Sequence, residues 1–319
     1  MNQQLLSTGA LIGALLLGIA SASAQQDVQY TQFMYDKLTF NPAYAGAKGF
    51  PAASGIFRQQ WVGFDGAPSS QALRFHTPLR RDRVGLGLRL QNDVIGPTRA
   101  TSAGFAYAYH LAVGSSTYFS LGFDASAMQY RIDWADLYGA DTEPAGDRDA
   151  AASRVFGNVG VGAMLYADRF YVGLSAPRLV QNRLSSLDDG IPTEGKEALH
   201  GYLMAGYDLR LGDDYSLRPA VNVKYASNAP LDADVNATVV WRELLGLGLS
   251  YRTGGALTES RGESVDVLLS VMPTRRLTIG LAYDHTLTEI RDYSSGSYEL
   301  MVGYVIAPQT DFVRNPRYF

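Results

Sequence analysis

Apolar and polar residues alternate with a period of two along most of this chain. In the stretch LTIGLAYD, residues 277–284, apolar Leu, Ile, Leu and Tyr alternate with Thr, Gly, Ala and Asp. The same alternation fills residues 84–91, 245–252 and 298–306. A period of two places successive side chains on opposite faces of a β-strand, so the chain predicts an all-β fold.

Fourteen such segments follow one another, and most are about 10 residues long, which suits a tilted strand crossing an apolar band ~25 Å thick. One face of each carries Val, Leu, Phe and Tyr, and the other carries Gly, Ala, Ser and charge. The sequence therefore predicts a transmembrane antiparallel β-barrel of about 14 strands within residues 51–307, with lipid outside and a polar lumen inside. The predicted strands cover residues 52–62, 70–78, 83–93, 100–112, 117–130, 155–167, 169–178, 198–211, 215–226, 232–242, 244–253, 264–273, 275–286 and 296–306.

A soluble β-sandwich or a lipocalin-like protein would also show alternating strands. Fourteen strands of this length would require two such domains, and no linker-like change of composition separates two halves of the chain. The membrane barrel is the preferred interpretation.

The predicted connections alternate in length, as expected for an outer-membrane barrel with short periplasmic turns and longer outer loops. Every second connection is brief, whereas the others include the three longest, at residues 131–154, 179–197 and 254–263. This parity predicts that both ends of the mature chain lie in the periplasm.

The amino-terminal segment predicts export. An apolar core from Ala10 to Ala20 precedes Ala22-Ser23-Ala24, a small-residue cleavage pattern, so residues 1–24 are predicted to be a signal peptide cleaved near Ala24. The apolar core is shorter than the ~20 residues of a spanning helix, which disfavours a membrane anchor. The mature chain then begins with a lead, residues 25–50, and ends with a terminal segment, residues 308–319.

Composition narrows the classes of function. The chain has no Cys, and its 27 basic and 31 acidic residues give a net charge of −4 without a basic block. Disulfides and zinc–thiolate sites are excluded, and nucleic acid is not an expected partner. No catalytic motif such as G-x-S-x-G occurs, and we expect no enzyme activity, no cofactor and no metal site. The four His fall on different predicted strands, as hydrogen-bonding groups of the lumen or of an interface: His76, His110, His200 and His285.

Charged residues on the predicted luminal faces can either form ion pairs or line a wet channel, and pairing is the favoured interpretation. They are Arg58, Arg74, Arg89, Arg218, Lys224, Arg242, Arg252, Asp124, Asp208, Asp266, Asp284 and Glu299.

The lead is rich in aromatic residues and poor in charge, which is typical of protein interfaces. We predict that the lead and the terminal segment form a periplasmic partner-binding surface. The alternative is that the lead folds into the lumen as a plug. The candidate partner-binding residues are Tyr30, Phe33, Met34, Tyr35, Phe40, Asn41, Pro42, Tyr44, Arg317, Tyr318 and Phe319.

Five phrases in order along the chain carry a family resemblance. They are QFM at 32–34 with NPAYAG at 41–46, QWVGFDGAP at 60–68, DVIGP at 93–97, GLSAP at 173–177 and PRYF at 316–319. With them the chain resembles the PorP/SprF family of outer-membrane proteins, which is associated with the type IX secretion and gliding machinery. The chain departs from the family at residues 296–299, where GSYE replaces the usual GSHE.

The resemblance implies a non-enzymatic barrel of the outer membrane, in contact with outer-membrane lipid. Such a barrel would link periplasmic motor or scaffold components of the type IX system to secreted or surface proteins such as adhesins. Roles in protein transport or gliding motility follow from the same resemblance. The rival interpretation is a porin or solute transporter, and a surface adhesin is the third.

Overall fold

The protein is seen in a computed structural model that describes residues 28–79, 83–133, 151–182, 197–227, 229–254 and 262–306. The predicted signal peptide and the terminal segment with Arg317, Tyr318 and Phe319 lie outside the described residues.

Antiparallel strands make up most of the described chain. Short helices occur at two places, in the lead as α1 (Lys37–Phe40) and a 3₁₀ turn (Pro42–Tyr44), and before the last strand as a 3₁₀ turn (Glu289–Asp292). The strands are β1 (Ala52–Gln59), β2 (Ser69–Leu79), β3 (Val84–Ile95), β4 (Thr98–Ala112), β5 (Tyr118–Asp133), β6 (Ala151–Tyr166), β7 (Phe170–Arg178), β8 (His200–Tyr207), β9 (Leu209–Leu211), β10 (Tyr215–Ala226), β11 (Asp232–Trp241), β12 (Leu245–Arg252), β13 (Ser264–Thr274), β14 (Leu277–Thr286) and β15 (Ser297–Val305).

The sheet closes on itself. Neighbours along the chain pair antiparallel, and β1 pairs with both β2 and β15, which joins the first strand to the last. β8 and β9 are two parts of one strand interrupted at Asp208, and both pair with β10. The result is a closed 14-strand antiparallel β-barrel, which confirms the predicted fold class. Closure removes the unpaired strand edges that lipid could not hydrogen-bond.

The two mouths of the barrel differ. We call the end at which every connection is brief the turn end, and the opposite end, which carries the longest connections, the loop end. Brief connections join β2 to β3, β4 to β5, β6 to β7, β9 to β10, β11 to β12 and β13 to β14. β1 begins and β15 ends at the turn end, because Ala52 pairs with Val305.

Strand boundaries deviate from the prediction where local geometry intervenes. The segment predicted at 52–62 stops at Gln59, because Trp61 and Gly63 adopt positive φ values of 43° and 98° in the loop that follows. The segment predicted at 155–167 starts earlier, at Ala151, because its pairing with β5 continues to Asp133.

Burial follows the predicted alternation. In β14, Leu281 points outward and is 50% exposed, while Ala282 and Asp284 point inward and are buried. Every barrel strand except the three-residue β9 contributes buried inward residues, and the main cluster of buried apolar residues joins these to the lead. The core of this protein therefore lies inside the barrel.

No helix within the described ranges is long and apolar enough to cross a membrane.

Replacing Leu281 with Arg should impair assembly of the barrel. Leu281 lies mid-strand on the outward face, where a charge at the membrane midplane costs about 2–4 kcal/mol. Tyr293→Arg is the matched control, because Tyr293 is 73% exposed at the loop end, outside the strands. Heat-modifiable gel mobility of membrane fractions measures the folded barrel. Equal losses for the two variants would mean that the outward face has been misassigned.

Candidate functional site

The lead occupies the lumen. The side chains of Tyr30, Phe33, Met34, Phe40, Asn41 and Tyr44 are between 0% and 4% exposed, and Pro42 is also buried. Tyr35 is partly buried, and its hydroxyl lies 3.2 Å from Ser270 Oγ on β13. The aromatic residues predicted to form an exposed periplasmic surface are therefore enclosed by the barrel. The sequence left open whether the lead forms an exposed surface or a plug. In the structure the described lead lies in the lumen as a plug.

The lead crosses the lumen from one mouth to the other. Val28, the first described residue, lies among Ile95, Thr98 and His200 at the loop end. At the far end of the lead, the Gly46 amide donates a hydrogen bond of 3.2 Å to His76 Nδ1, close to the turn that joins β2 to β3. The described lead therefore starts at the loop end, whereas β15 ends at the turn end. Both ends of the mature chain lie outside the described residues, so their predicted periplasmic location stays a prediction.

A buried ion-pair cluster, which we call the clamp, holds the loop end of the lead. Arg58 on β1 contacts Asp284 on β14 at 2.6 Å and Glu299 on β15 at 3.2 Å. The backbone amides of Thr31 and Gln32 each donate to Glu299 at 2.9 Å. The Thr31 hydroxyl lies 2.7 Å from Asp284 and 2.8 Å from Arg58. Three strands and the lead therefore share one charge-assisted hydrogen-bond network.

Two further arginines reach the middle of the lead. Arg74 Nε donates to the Thr39 hydroxyl at 2.7 Å and lies 3.6 Å from Asp36. Arg89 donates to the Thr39 carbonyl at 3.0 Å and pairs with Asp124 at 2.5 Å. Helix α1 is thus held between the inward charges of β2, β3 and β5.

The NPAYAG motif makes the tight turn of the lead and binds to the strands through its backbone. The Asn41 side chain accepts from the Ala43 amide at 2.9 Å and donates to the Ala163 carbonyl at 3.1 Å. Ser120 donates to the Ala43 carbonyl at 2.8 Å, and Ser175 donates to the Phe40 carbonyl at 2.7 Å. Backbone polar groups that would be costly to bury unpaired are satisfied in this way.

His110 serves this turn as a hydrogen-bonding group. Its Nε2 lies 2.8 Å from the Ala45 carbonyl oxygen, and its Nδ1 lies 2.9 Å from the Tyr166 hydroxyl. A carbonyl can only accept, so Nε2 carries the proton, and in the neutral ring Nδ1 accepts from the tyrosine hydroxyl. His285, by contrast, points outward. Across the described ranges, no group of three or more His, Asp or Glu is arranged to hold a metal ion.

Glycines on inward positions give the lead room. A Cβ on Gly122 of β5 would overlap the Ala43 backbone, and a Cβ on Gly162 of β6 would overlap the Asn41 side chain. The alternating pattern predicts that Gly on the inward faces lines a polar lumen. At these two positions the absence of a Cβ makes room for the Ala43 backbone and the Asn41 side chain of the lead.

Several other inward charges form ion pairs with residues of a neighbouring strand or turn. Lys224 lies 2.8 Å from Asp232, Arg252 lies 2.7 Å from Asp234, and Arg218 lies 2.7 Å from Glu243. Arg242 was predicted to line the lumen but is exposed at the turn end, where it pairs with Asp214 at 2.9 Å. The reason is the turn between β11 and β12, in which Arg242 adopts a positive φ of 51°.

The hydrogen bonds between the lead and the clamp could not be predicted from the sequence. Alternation placed Arg58, Asp284 and Glu299 on inward faces, but it gave no cue that Thr31 and Gln32 would meet them. The contacts of Thr31 and Gln32 with Asp284 and Glu299 span more than 240 residues of sequence, and they depend on the closing pair β1–β15.

The family of type IX secretion system membrane proteins named PorP/SprF matches residues 22–304. The chain belongs to the PorP/SprF family. This PorP/SprF protein is thus an outer-membrane component of the type IX secretion machinery. The family and the fold are those of a membrane component rather than of known enzymes.

Several solved barrels are similar to this PorP/SprF protein. Outer membrane protein Omp33 of Acinetobacter baumannii shares 9% identity at a TM-score of 0.47, with 80% of this chain and 97% of that chain covered. A FadL homologue of Pseudomonas aeruginosa shares 12% identity at a TM-score of 0.45, with 90% and 97% covered. The toluene transporter TodX of P. putida shares 8% identity at a TM-score of 0.45, with 88% and 95% covered. No curated protein sequence matches the chain.

Removal of the clamp arginine should destabilise the protein strongly. Arg58→Gln leaves Glu299 without its ion-pair partner and Asp284 with only the longer contact to Arg252 at 3.9 Å, and breaking a buried pair in this way costs about 3–5 kcal/mol. Arg242→Gln is the control, because this arginine belongs to an exposed pair, and such pairs contribute little. The midpoint of thermal unfolding in detergent, followed by circular dichroism, measures the difference. Similar midpoints for the two variants would contradict a stabilising clamp.

The direction of the lead can be tested with single cysteines, since the chain has none of its own. Val28→Cys should react with a membrane-impermeant maleimide on intact cells, as should Tyr293→Cys at the loop end. Asp213→Cys, in the exposed turn between β9 and β10, should react only after the outer membrane is permeabilised. If Val28→Cys instead behaves like Asp213→Cys, the lead enters the barrel from the turn end.

Proposed function

We propose that this protein is a closed connector of the type IX machinery, which links periplasmic motor or scaffold components to secreted or surface proteins such as adhesins. The observation that carries the proposal is that the lead fills the lumen and runs from one mouth to the other. A solute pore needs an open water path, whereas a connector needs two stable mouths and a firm link between them. The alternative of a porin or solute transporter would require the lead to leave the lumen.

The turn end is the proposed periplasmic contact. Its connections are brief, so it presents a firm surface with exposed charges such as Arg242 and Asp214. β15 ends at this mouth, and the terminal segment with Arg317, Tyr318 and Phe319 follows it in the chain. In this proposal the buried aromatic residues of the lead act indirectly, because they fix the segment that joins the two mouths.

The loop end is the proposed contact for a secreted or surface protein. The loop after β1 contains the QWVGFDGAP motif and is bonded to the loop before β15, where Val62 and Gly296 are joined by a backbone hydrogen bond of 2.9 Å. Trp61 is held at a positive φ of 43°, a conformation that is costly for a bulky residue. The rings of Phe64 and Tyr293 are left 49% and 73% exposed. Exposed aromatic rings on a constrained loop suit a protein interface.

Conductance separates the connector from the porin. The purified wild-type protein in a planar bilayer should remain closed, and deletion of residues 29–44 should open a conducting pore. Gly122→Val should raise conductance as well, because its side chain collides with the Ala43 backbone. Gly157→Val is the matched control and should stay closed, since a Cβ on this outward glycine of β6 meets nothing within 4 Å. A steady, open wild-type channel would overturn the proposal in favour of the porin.

Photo-crosslinking in cells tests the two contacts. A crosslinking amino acid in place of Asp213 should capture periplasmic components of the type IX system, and one in place of Phe64 should capture a secreted or surface protein. Crosslinks of both positions to the same periplasmic component, with none to an exported protein, would count against a linking role.

A further inference from the structure

Four arginines lie at the turn end of the barrel without an ion-pair partner in the described part of the chain. Arg83, Arg169 and Arg276 lie in the turns just before β3, β7 and β14, and Arg210 lies in β9. Arg276 is half-buried, and the other three are exposed. The ion pairs at this end involve other arginines, and these four take no part in them. Their charges are therefore not compensated within the described ranges.

Each of the four arginines continues the inward face of the sheet. Arg210 is the register partner of Ser216, which is inward and buried. The carbonyls of the other three accept backbone hydrogen bonds from buried inward residues of the neighbouring strand: Arg83 from His110 at 2.8 Å, Arg169 from Asp208 at 2.7 Å and Arg276 from Val305 at 2.8 Å. Residues directly opposite each other in an antiparallel pair lie on the same face. The arginines therefore surround the luminal mouth and do not belong to the lipid-facing wall.

The acidic residues at this mouth do not balance the arginines. Three of the described carboxylates already contact other arginines of the same end: Asp208, Asp214 and Glu243. The described acids that remain there are Asp168 and Asp213. Four unpaired arginines therefore face two unpaired acids, and the mouth carries an excess of positive charge.

Neighbouring segments of the chain add cations rather than acids. Lys48 lies between Gly46, which is bonded to His76 at the turn end, and the start of β1. The segment 80–82 between β2 and β3 reads Arg-Arg-Asp. The terminal segment, residues 308–319, contains one acidic residue and two arginines. The composition of these segments does not provide the negative charge that the mouth lacks.

We propose that the turn-end mouth binds an acidic surface of a periplasmic component of the type IX machinery. A ring of like charge attracts partners of opposite charge and excludes others, which favours specificity and fast association. Arginine suits this contact, because its paired N–H donors match the geometry of a carboxylate. A protein partner is chosen over lipid headgroups because the arginines continue the inward faces of the strands. The inference rests on the proposed function, which brings the turn end into contact with a periplasmic component.

Binding of a fluorescent deca-glutamate peptide to the purified barrel in uncharged detergent tests the site, with fluorescence anisotropy as the measurement. The wild type should bind this probe and should not bind deca-lysine. Added salt should weaken binding, because it screens exposed charges. The variant R83Q/R169Q/R210Q/R276Q should bind deca-glutamate about tenfold less tightly, since several exposed ionic contacts, each of small effect, are lost together.

Two double variants separate the position of the charge from the total charge of the protein. R169Q/R210Q removes two arginines of the mouth and should weaken binding of deca-glutamate. R99Q/R291Q removes two exposed arginines at the loop end, where Arg99 lies near the start of β4 and Arg291 lies in the 3₁₀ turn before β15. This control has the same net charge as the first variant and should bind like the wild type. Circular dichroism and heat-modifiable mobility verify that each variant is folded.

The proposal is overturned if the folded fourfold variant binds deca-glutamate like the wild type, or if R99Q/R291Q loses as much affinity as R169Q/R210Q. A wild-type barrel that ignores deca-glutamate but retains phosphatidylglycerol over phosphatidylcholine in native mass spectrometry would overturn the choice of a protein partner. The conductance experiment tests the proposed function separately. A closed barrel that does not bind deca-glutamate would therefore contradict this inference alone.

Discussion

Most of the inward polar side chains of this barrel are buried, so they need hydrogen-bonding partners from the protein itself. This need for partners follows from the alternation of apolar and polar residues, because a strand with an apolar outer face turns its polar residues inward. The strands satisfy part of it by pairing with one another, as Lys224 does with Asp232. The lead satisfies another part through its backbone, which supplies amides to Glu299 and carbonyls to Ser120 and Ser175. Its irregular backbone can lie at membrane depth because protein surrounds it on all sides.

Small inward residues let the strands approach the lead closely. Gly122 and Gly162 bring two neighbouring strands close to the turn at Asn41 and Ala43, and a methyl group at either glycine would displace that turn. Because interiors are close-packed, such contacts fix the path of the lead as firmly as its hydrogen bonds do. The inward faces of β5 and β6 are thus shaped for one particular segment of the same chain.

The sequence determines the barrel far better than it determines the lumen. The number of strands, their outward faces and the alternation of short and long connections follow from a local period of two. These predictions do not depend on the exact residue at which a strand begins or ends. The position of the lead depends on contacts between distant parts of the chain, which no local period records. Tyr30 and Phe33 therefore suit an exposed interface and a buried plug equally well as residue types. Their burial is decided by the glycines, serines and arginines that the closed sheet places around them.

The clamp ties the lead to the closure of the barrel. Arg58 and Glu299 are register partners in β1 and β15, the pair of strands that joins the two ends of the sheet. Thr31 and Gln32 bind Glu299, and the Thr31 hydroxyl binds Arg58 and Asp284. A barrel closed without the lead would hold these buried charges with fewer hydrogen bonds, and a lead outside the barrel would lose its enclosed aromatic contacts. Docking of the lead and pairing of β1 with β15 therefore stabilise each other, so the plug is part of the closed fold rather than an addition to it.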